Sequence, residues 1–239
     1  MQSLLLVWYG SSGRDLPWRR TRDPYAILVS EVMLQQTQVE RVIPRYERWL
    51  GRWPTVQALA AEEPAEVIVE WQGLGYNRRA LSLHRAATAI AASGWPDDLT
   101  TLPGVGPYTA AAIGNFAFGE DVLPVDVNVE RVQRRTGAAF TGAAAQALMD
   151  LGATVCLARV PRCRACPLRL HCPSVGARDA PRRKQGRFEG SFRQLRAETL
   201  RLVADGGRPV AALDPGAVDA LVRDGLVVVR DGLAGLPRR

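Results

Sequence analysis

Cys156, Cys163, Cys166 and Cys172 are the only cysteines of the chain, and they fall in one short stretch with the spacing C-x6-C-x2-C-x5-C. Thiols held this close restrict what the surrounding chain can fold into, because four thiolates can wrap one metal centre, either tetrahedral zinc or an iron–sulfur cluster. Two disulfides are the plainer reading. No secretory signal is legible before the cysteines, however, and a reducing cytosol disfavours such bonds. Zinc ribbons and knuckles use two short C-x2–4-C pairs separated by a longer loop. Here one tight pair is flanked by single cysteines, which suits a [4Fe–4S] cluster reached from a helix end and a following loop. The spacing favours the cluster and leaves zinc as the alternative.

At 239 residues the chain can bury one large core or two small ones, with room for an appendage. Its formal net charge of +7 points to a polyanionic partner. Lys184 is the single lysine, so arginine carries nearly all the positive charge. The guanidinium fork favours bidentate phosphate contacts, although a compositional bias of the genome gives the same count. The apolar run Leu4–Tyr9 is too short to span a membrane and has no basic region before it. The expectation is a soluble, cytoplasmic monomer.

From Asp23 to about Leu157 the apolar periodicity is helical with short loops. Asp23-Pro24 is a start signal, a cap followed by proline at the first helical position. Helices are expected over Val39–Leu50 (beginning near, or kinked at, Pro44), Ala65–Trp71, Arg78–Ala92, Tyr108–Phe118, Glu130–Arg135 and Ala143–Leu157. Composition shifts after Cys172, and residues 176–187 read as a polar, basic linker that is either solvated or in contact with phosphates. Beyond it, Ser191–Ala204 and Pro215–Gly225 look helical. Leu226–Arg230, Asp231-Gly232 and Leu233–Leu236 read as strand, turn and strand, together a small winged-helix-like module.

Three places carry candidate chemistry. Leu102-Pro103-Gly104-Val105-Gly106 sits between helical segments, where its glycines let backbone approach a phosphate; a tight inter-helix turn would need the same residues. Asp126 and Asn128 stand where a new helix starts, which ordinary N-capping explains. An ionised carboxylate there could also stabilise a developing positive charge. Glu31 lies on a helical stripe with Ile27, Leu28 and Leu34, so partial burial is expected, and burial favours a protonated carboxyl. One acid poised to donate a proton beside another that stays charged is the division of labour of glycosidic-bond cleavage.

The segments DLPWR (15–19), DPYAILVSEVMLQQTQV (23–39), GLGY (73–76), LPGVGPYTA (102–110) and VDVNVERV (125–132), followed by the cysteine loop, resemble the adenine DNA glycosylases of the MutY family. These belong to the helix-hairpin-helix superfamily, which also includes endonuclease III. The resemblance implies a mainly α, two-lobed enzyme. An N-terminal segment (1–22) would pack on the cluster lobe; a six-helix barrel with the helix-hairpin-helix (23–128), the [4Fe–4S] cluster lobe (129–175), the linker (176–187) and the winged-helix-like module (188–239) would follow. Its partner would be duplex DNA containing a mispaired adenine, flipped out of the stack because the bond cannot be attacked inside it.

The same resemblance makes Glu31 the general acid that protonates N7 of the adenine and Asp126 the carboxylate that stabilises the sugar cation. Tyr108 and Asn128 would orient the acids and water. Gln36 and Tyr76 would insert into the stack, Gly104, Val105 and Gly106 would hold a phosphate, and Arg14, Trp18, Arg19, Leu34 and Gln146 map to the base pocket. Bifunctional relatives place a lysine where Tyr108 stands, so a monofunctional enzyme is implied. Two departures stand out. Val127 replaces the family's usual glycine, and the roughly fifty residues after the linker are too few for the C-terminal domain that reads 8-oxoguanine in longer members. The rival readings are a thymine or uracil mismatch glycosylase, which Glu31 opposes because pyrimidines have no N7, and a silent DNA-binding protein of the same fold, which would not need the acids and Tyr108.

Overall fold

The computed structural model describes residues 1–180 and 186–238. Lys184 and the middle of the expected linker lie outside the described residues. The helices in chain order are α1 (Gln2–Ser12), α2 (Pro24–Leu34), α3 (Val39–Arg52), α4 (Val56–Ala61), α5 (Pro64–Trp71), α6 (Arg78–Ser93), α7 (Pro107–Phe116), α8 (Val127–Thr136), α9 (Ala145–Thr154), α10 (Phe192–Ala204) and α11 (Pro215–Arg223). Three short strands, β1 (Arg208–Pro209), β2 (Val228–Arg230) and β3 (Leu233–Gly235), form an antiparallel sheet in the order β1-β3-β2. The protein is mainly helical, as its periodicity predicts.

The chain divides into two compact units, each built from two stretches: 1–28 with 106–183, and 29–105 with 184–239. The segment expected as one barrel, 23–128, is shared between them, because α7 and the start of α8 group with the cysteine-bearing segment. In the first unit α8 and α9 pack together and α1 packs on α9. Leu5 of α1, Val129 and Val132 of α8, and Leu148 and Leu151 of α9 are fully buried there with Leu168 of the cysteine segment. The N-terminal helix thus completes a core whose other members lie more than a hundred residues later.

In the second unit α4 and α5 pack against α6, and Trp49, Trp53 and Trp71 meet edge to face with ring centroids 4.6 and 5.5 Å apart. Helix α3 starts at Val39 and continues past Pro44, so the proline lies inside the helix and not at its start. Burial of Val42, Tyr46 and Trp49 along one face offsets the hydrogen bond that proline forfeits. The α10–α11–sheet segment, expected as a small module, does not keep a core to itself. Its Leu200, Val203, Leu221, Leu226 and Val227 share a core with Ile68 of α5 and Leu81 of α6.

Local signals set several boundaries. Asp23 caps α2, its carboxylate accepting from the amides of Tyr25 (3.1 Å) and Ala26 (3.4 Å) ahead of Pro24. Helix α8 begins three residues earlier than expected, at Val127, because Asp126 is its cap, and it ends on left-handed Gly137. Helix α9 is shorter than expected: a 3-10 turn over Gly142–Ala144 precedes it and it stops at Thr154. The segment before the Gly104 turn is likewise only a 3-10 turn, Leu99–Thr101.

Candidate active site

In the first unit, Asp126 uses both oxygens at the N-terminus of α8. Oδ1 accepts from the amides of Asn128 (2.9 Å) and Val129 (2.7 Å), and Oδ2 accepts from the side-chain amide of Asn128 (2.8 Å). Val127, which replaces the family's glycine, points to solvent and leaves this cap intact. Asn128 Oδ1 in turn accepts from Arg131 Nη2 (2.7 Å), which also donates to the Gly152 carbonyl (2.6 Å), while Arg131 Nε donates to the Cys156 carbonyl (2.7 Å). Gly152 has to be small: a Cβ there would meet Asn128 Cβ at 2.6 Å. Tyr108 is half-buried in the first turn of α7.

Arg14 and Arg19 converge on Asp150, a fully buried acid of α9 that the sequence reading passed over. Asp150 accepts from the Arg14 amide (2.8 Å) and Nε (2.7 Å) and from both Arg19 Nη atoms (2.7 and 2.8 Å). Burial pushes its carboxyl up, but hydrogen bonds from Arg19 and Arg14 and their charge outweigh this and hold it below the usual aspartate value. Tyr9 donates to Gln146 Oε1 (2.8 Å) and lies under the Arg19 guanidinium. Burial raises its hydroxyl pKa. Thus Arg14, Arg19 and Gln146 gather around Asp150 and Tyr9, with buried Trp18 in the turn between the arginines.

The four cysteines are all free thiols and line one pocket, with Arg135 and Arg169 in its wall. Among the described residues no group of three or more His, Cys, Asp or Glu side chains is placed so that it could hold a metal ion. Arg135 Nη1 lies 3.5 Å from Cys156 Sγ, the Gly176 amide donates to Cys163 Sγ (3.3 Å), and Cys172 donates to the Arg135 carbonyl (3.4 Å). Burial, partly offset by a backbone hydrogen bond with Leu168, pushes Cys166 up. Arg159, Arg162 and Arg164 are exposed around this loop. The start of the expected linker is tied down here, Asp179 pairing with Arg134 (2.8 Å) and Arg135 (3.2 Å).

In the second unit, Glu31 is buried on α2, only 6% exposed, with half-buried Leu34 one turn on. Gln36 and Tyr76 are both exposed and both left-handed, with φ of 56° and 48°. Gly104 has φ +81°, and a Cβ on it would strike Ser82 Cβ at 2.7 Å, so both backbone and space require glycine. Val105 is buried behind this turn, and Gly106 caps α7.

Residues 29–152 match the model of the HhH-GPD superfamily of base excision DNA repair proteins. The chain is 44% identical to an adenine DNA glycosylase of Mycolicibacterium smegmatis, covering 93% of this chain and 91% of that one. It is 41% identical to one of Mycobacterium tuberculosis, covering 98% and 92%. The human adenine DNA glycosylase is also 41% identical, but over 70% of this chain and only 38% of the human protein. Among solved structures, a thermostable thymine-DNA glycosylase superposes with a TM-score of 0.66 at 28% identity, covering 72% of this chain and 94% of that one. An endonuclease III trapped on DNA superposes at 0.61 and 22% identity, covering 72% and 92%, a likeness of fold alone. No helix among the described residues is long and apolar enough to cross a membrane. A buried glutamate on α2, a capping aspartate on α8, a glycine turn between them in sequence and these relatives agree: the chain belongs to the HhH-GPD superfamily of base excision DNA repair proteins and, within it, to the adenine DNA glycosylases.

Proposed function

We propose that the protein acts in the cytoplasm as a monomeric, monofunctional glycosylase that flips adenine out of a mispair with guanine or 8-oxoguanine and hydrolyses its N-glycosidic bond. The observation that carries this reading is the contrast between two carboxyl groups. Glu31, buried on α2, is the general acid for adenine N7. Asp126 is the carboxylate that stabilises the oxocarbenium-like sugar, held ready by two helix amides and Asn128. Tyr108 and Asn128 orient acids and water. Arg14, Trp18, Arg19, Leu34 and Gln146 shape the base pocket, the two arginines through Asp150. Gln36 and Tyr76 enter the stack, and the Gly104–Gly106 backbone holds a phosphate. The domain roles follow: the cysteine-bearing segment is the cluster lobe and 188–239 the winged-helix-like module.

Cys156, Cys163, Cys166 and Cys172 would hold a [4Fe–4S] cluster. The donor set fits: all four thiols are free of disulfides and line one pocket, and thiolates are the ligands that hold such clusters. All four would be ligands, so the cluster supplies no open site for substrate and shapes the loop bearing Arg159, Arg162 and Arg164.

The likeness to thymine-DNA glycosylase keeps pyrimidine release as a second reading. A panel of duplexes carrying A, G, T or U opposite each base or 8-oxoguanine, assayed with wild type and Glu31→Gln, separates the two. The expected result is adenine release that the substitution abolishes, with no borohydride-trapped adduct. Release of thymine or uracil alone, or of no adenine from any pair, refutes the proposal.

A further inference from the structure

The loops that carry Gln36 and Tyr76 are gripped from the inside by one side chain, Arg79, in the first turn of α6. Its Nη1 donates to the carbonyls of Val32 (2.8 Å), Met33 (3.0 Å) and Gln35 (2.5 Å), which close the C-terminal end of α2. Its Nη2 donates to Thr37 Oγ1 (3.1 Å) and the Gly75 carbonyl (2.9 Å), and Nε reaches the Tyr76 carbonyl (3.4 Å). The guanidinium carbon lies 5.2 Å from the Trp71 ring centroid and 5.6 Å from that of Tyr76. All of these partners belong to the unit containing residues 29–105. Burial pulls the Arg79 pKa down to about 10, so the group is still a cation at neutral pH. Carbonyls, a hydroxyl and two aromatic faces surround it.

Gln36, Tyr76 and Asp231 are the described non-glycine residues with positive φ. Such a backbone persists where its surroundings over-determine it. Asp231 sits in the turn between β2 and β3, which accounts for it. Gln36 and Tyr76 are in no hairpin. What fixes both is the same guanidinium, bonded to the carbonyls of Gln35 and Gly75 immediately before them and to that of Tyr76 itself. A planar five-donor fork can span two loops in this way, whereas an ammonium is a single point with three donors.

We propose that Arg79 is a positioning residue that presets both loops, so that Gln36 and Tyr76 stand ready to enter the DNA stack before DNA arrives. This rests on the reading of those two residues as the inserting side chains. Presetting them lowers the ordering cost paid when the base is extruded, and the grip on the Val32 and Met33 carbonyls ties the same loops to the helix that bears Glu31.

The test uses the full chain with Arg79→Lys. Single-turnover adenine release should slow on the order of a hundredfold, as expected for a misplaced catalytic geometry. Extrusion is read separately by fluorescence of 2-aminopurine placed beside the target adenine, in a Glu31→Gln background that blocks chemistry. The unstacking signal should be lost on Arg79→Lys, while binding to undamaged duplex and its salt dependence stay unchanged. Gln36→Ala should slow release in the wild type and add little on top of Arg79→Lys. A wild-type unstacking signal in Arg79→Lys, or effects of the two substitutions that multiply, overturns the proposal. Should Arg79→Lys not fold, Thr37→Val removes one of its partners and should weaken the unstacking signal to a smaller degree; an unchanged signal again overturns it. Because unstacking needs no chemistry, failure of the adenine reading (no base released by wild type) is distinguishable from failure of the Arg79 proposal.

Discussion

Replacing Asp150 by asparagine keeps the shape of the side chain and removes its charge. The carboxylate is 1% exposed, and each oxygen accepts at least two donors: Arg14 Nε and Arg19 Nη2 on Oδ1, the Arg14 amide and Arg19 Nη1 on Oδ2. Whichever oxygen becomes an NH2 group, two donors are left facing a donor. An unsatisfied buried donor costs about 1–3 kcal/mol, and breaking a buried ion pair from one side costs about 3–5 kcal/mol. Arg14 is 31% exposed and can recover some hydration, so the lower end applies, about 3 kcal/mol. For a chain of this size that lowers the melting temperature by roughly 6–12 °C. The sign of the pH dependence follows from the depressed carboxyl pKa. The stabilisation is complete above the ordinary aspartate value of 3.8 and is lost as pH falls through the lower folded value. Circular-dichroism melts of wild type and Asp150→Asn should therefore differ by a constant amount at neutral and mildly acidic pH, and the difference should shrink below about pH 4. Arg19→Met should cost less in the Asp150→Asn background than in wild type. A melting temperature within about 2 °C of wild type at neutral pH, or a gap that widens on acidification, would refute this account of Asp150.

Asp126→Asn separates chemistry from folding, because asparagine caps helices about as well as aspartate. Its stability should change by no more than about 1 kcal/mol while adenine release falls roughly a hundredfold or more; a loss of activity that merely tracks a loss of melting temperature would contradict the assigned role. Purified wild type should be brown and contain iron, and Cys166→Ser should lose the visible absorption. Stoichiometric zinc in a colourless wild type would replace the cluster reading.

Features set by neighbouring residues were legible in the sequence. The Asp23-Pro24 start, the Asp126 cap and the Asp231-Gly232 turn are each decided within a few positions, and all three stand in the structure. The Thr55 cap of α4 was equally local and was passed over. Pro44 misled because local propensity yields to burial of Val42, Tyr46 and Trp49. Asp150, Arg79 and the pairing of Arg14 with Asp150 were not legible for a different reason. Arg14 and Asp150 are 136 residues apart, and Arg79 and Val32 are 47 apart. No periodicity or spacing rule connects such pairs. Docking of the C-terminal helices on Ile68 and Leu81 was hidden likewise, since an apolar stripe says that a helix face is buried but not against what.

The threading of the chain has a consequence for how the molecule comes to be folded. Each compact unit is assembled from two stretches, and a stretch of the other unit lies between them. Leu5 leaves the ribosome well over a hundred residues before Leu148, Leu151 and Leu168, the neighbours that bury it. Ile68 and Leu81 wait for Leu200 and Leu221. The first core waits for Leu168 and the second for Leu226 and Val227, so apolar surface on the earlier stretches stays uncovered until those residues emerge. Long-range closure of this kind makes folding slow relative to a bundle of sequential helices. Losing the C-terminal segment would therefore do more than remove an appendage, because it would strip the covering from α5 and α6.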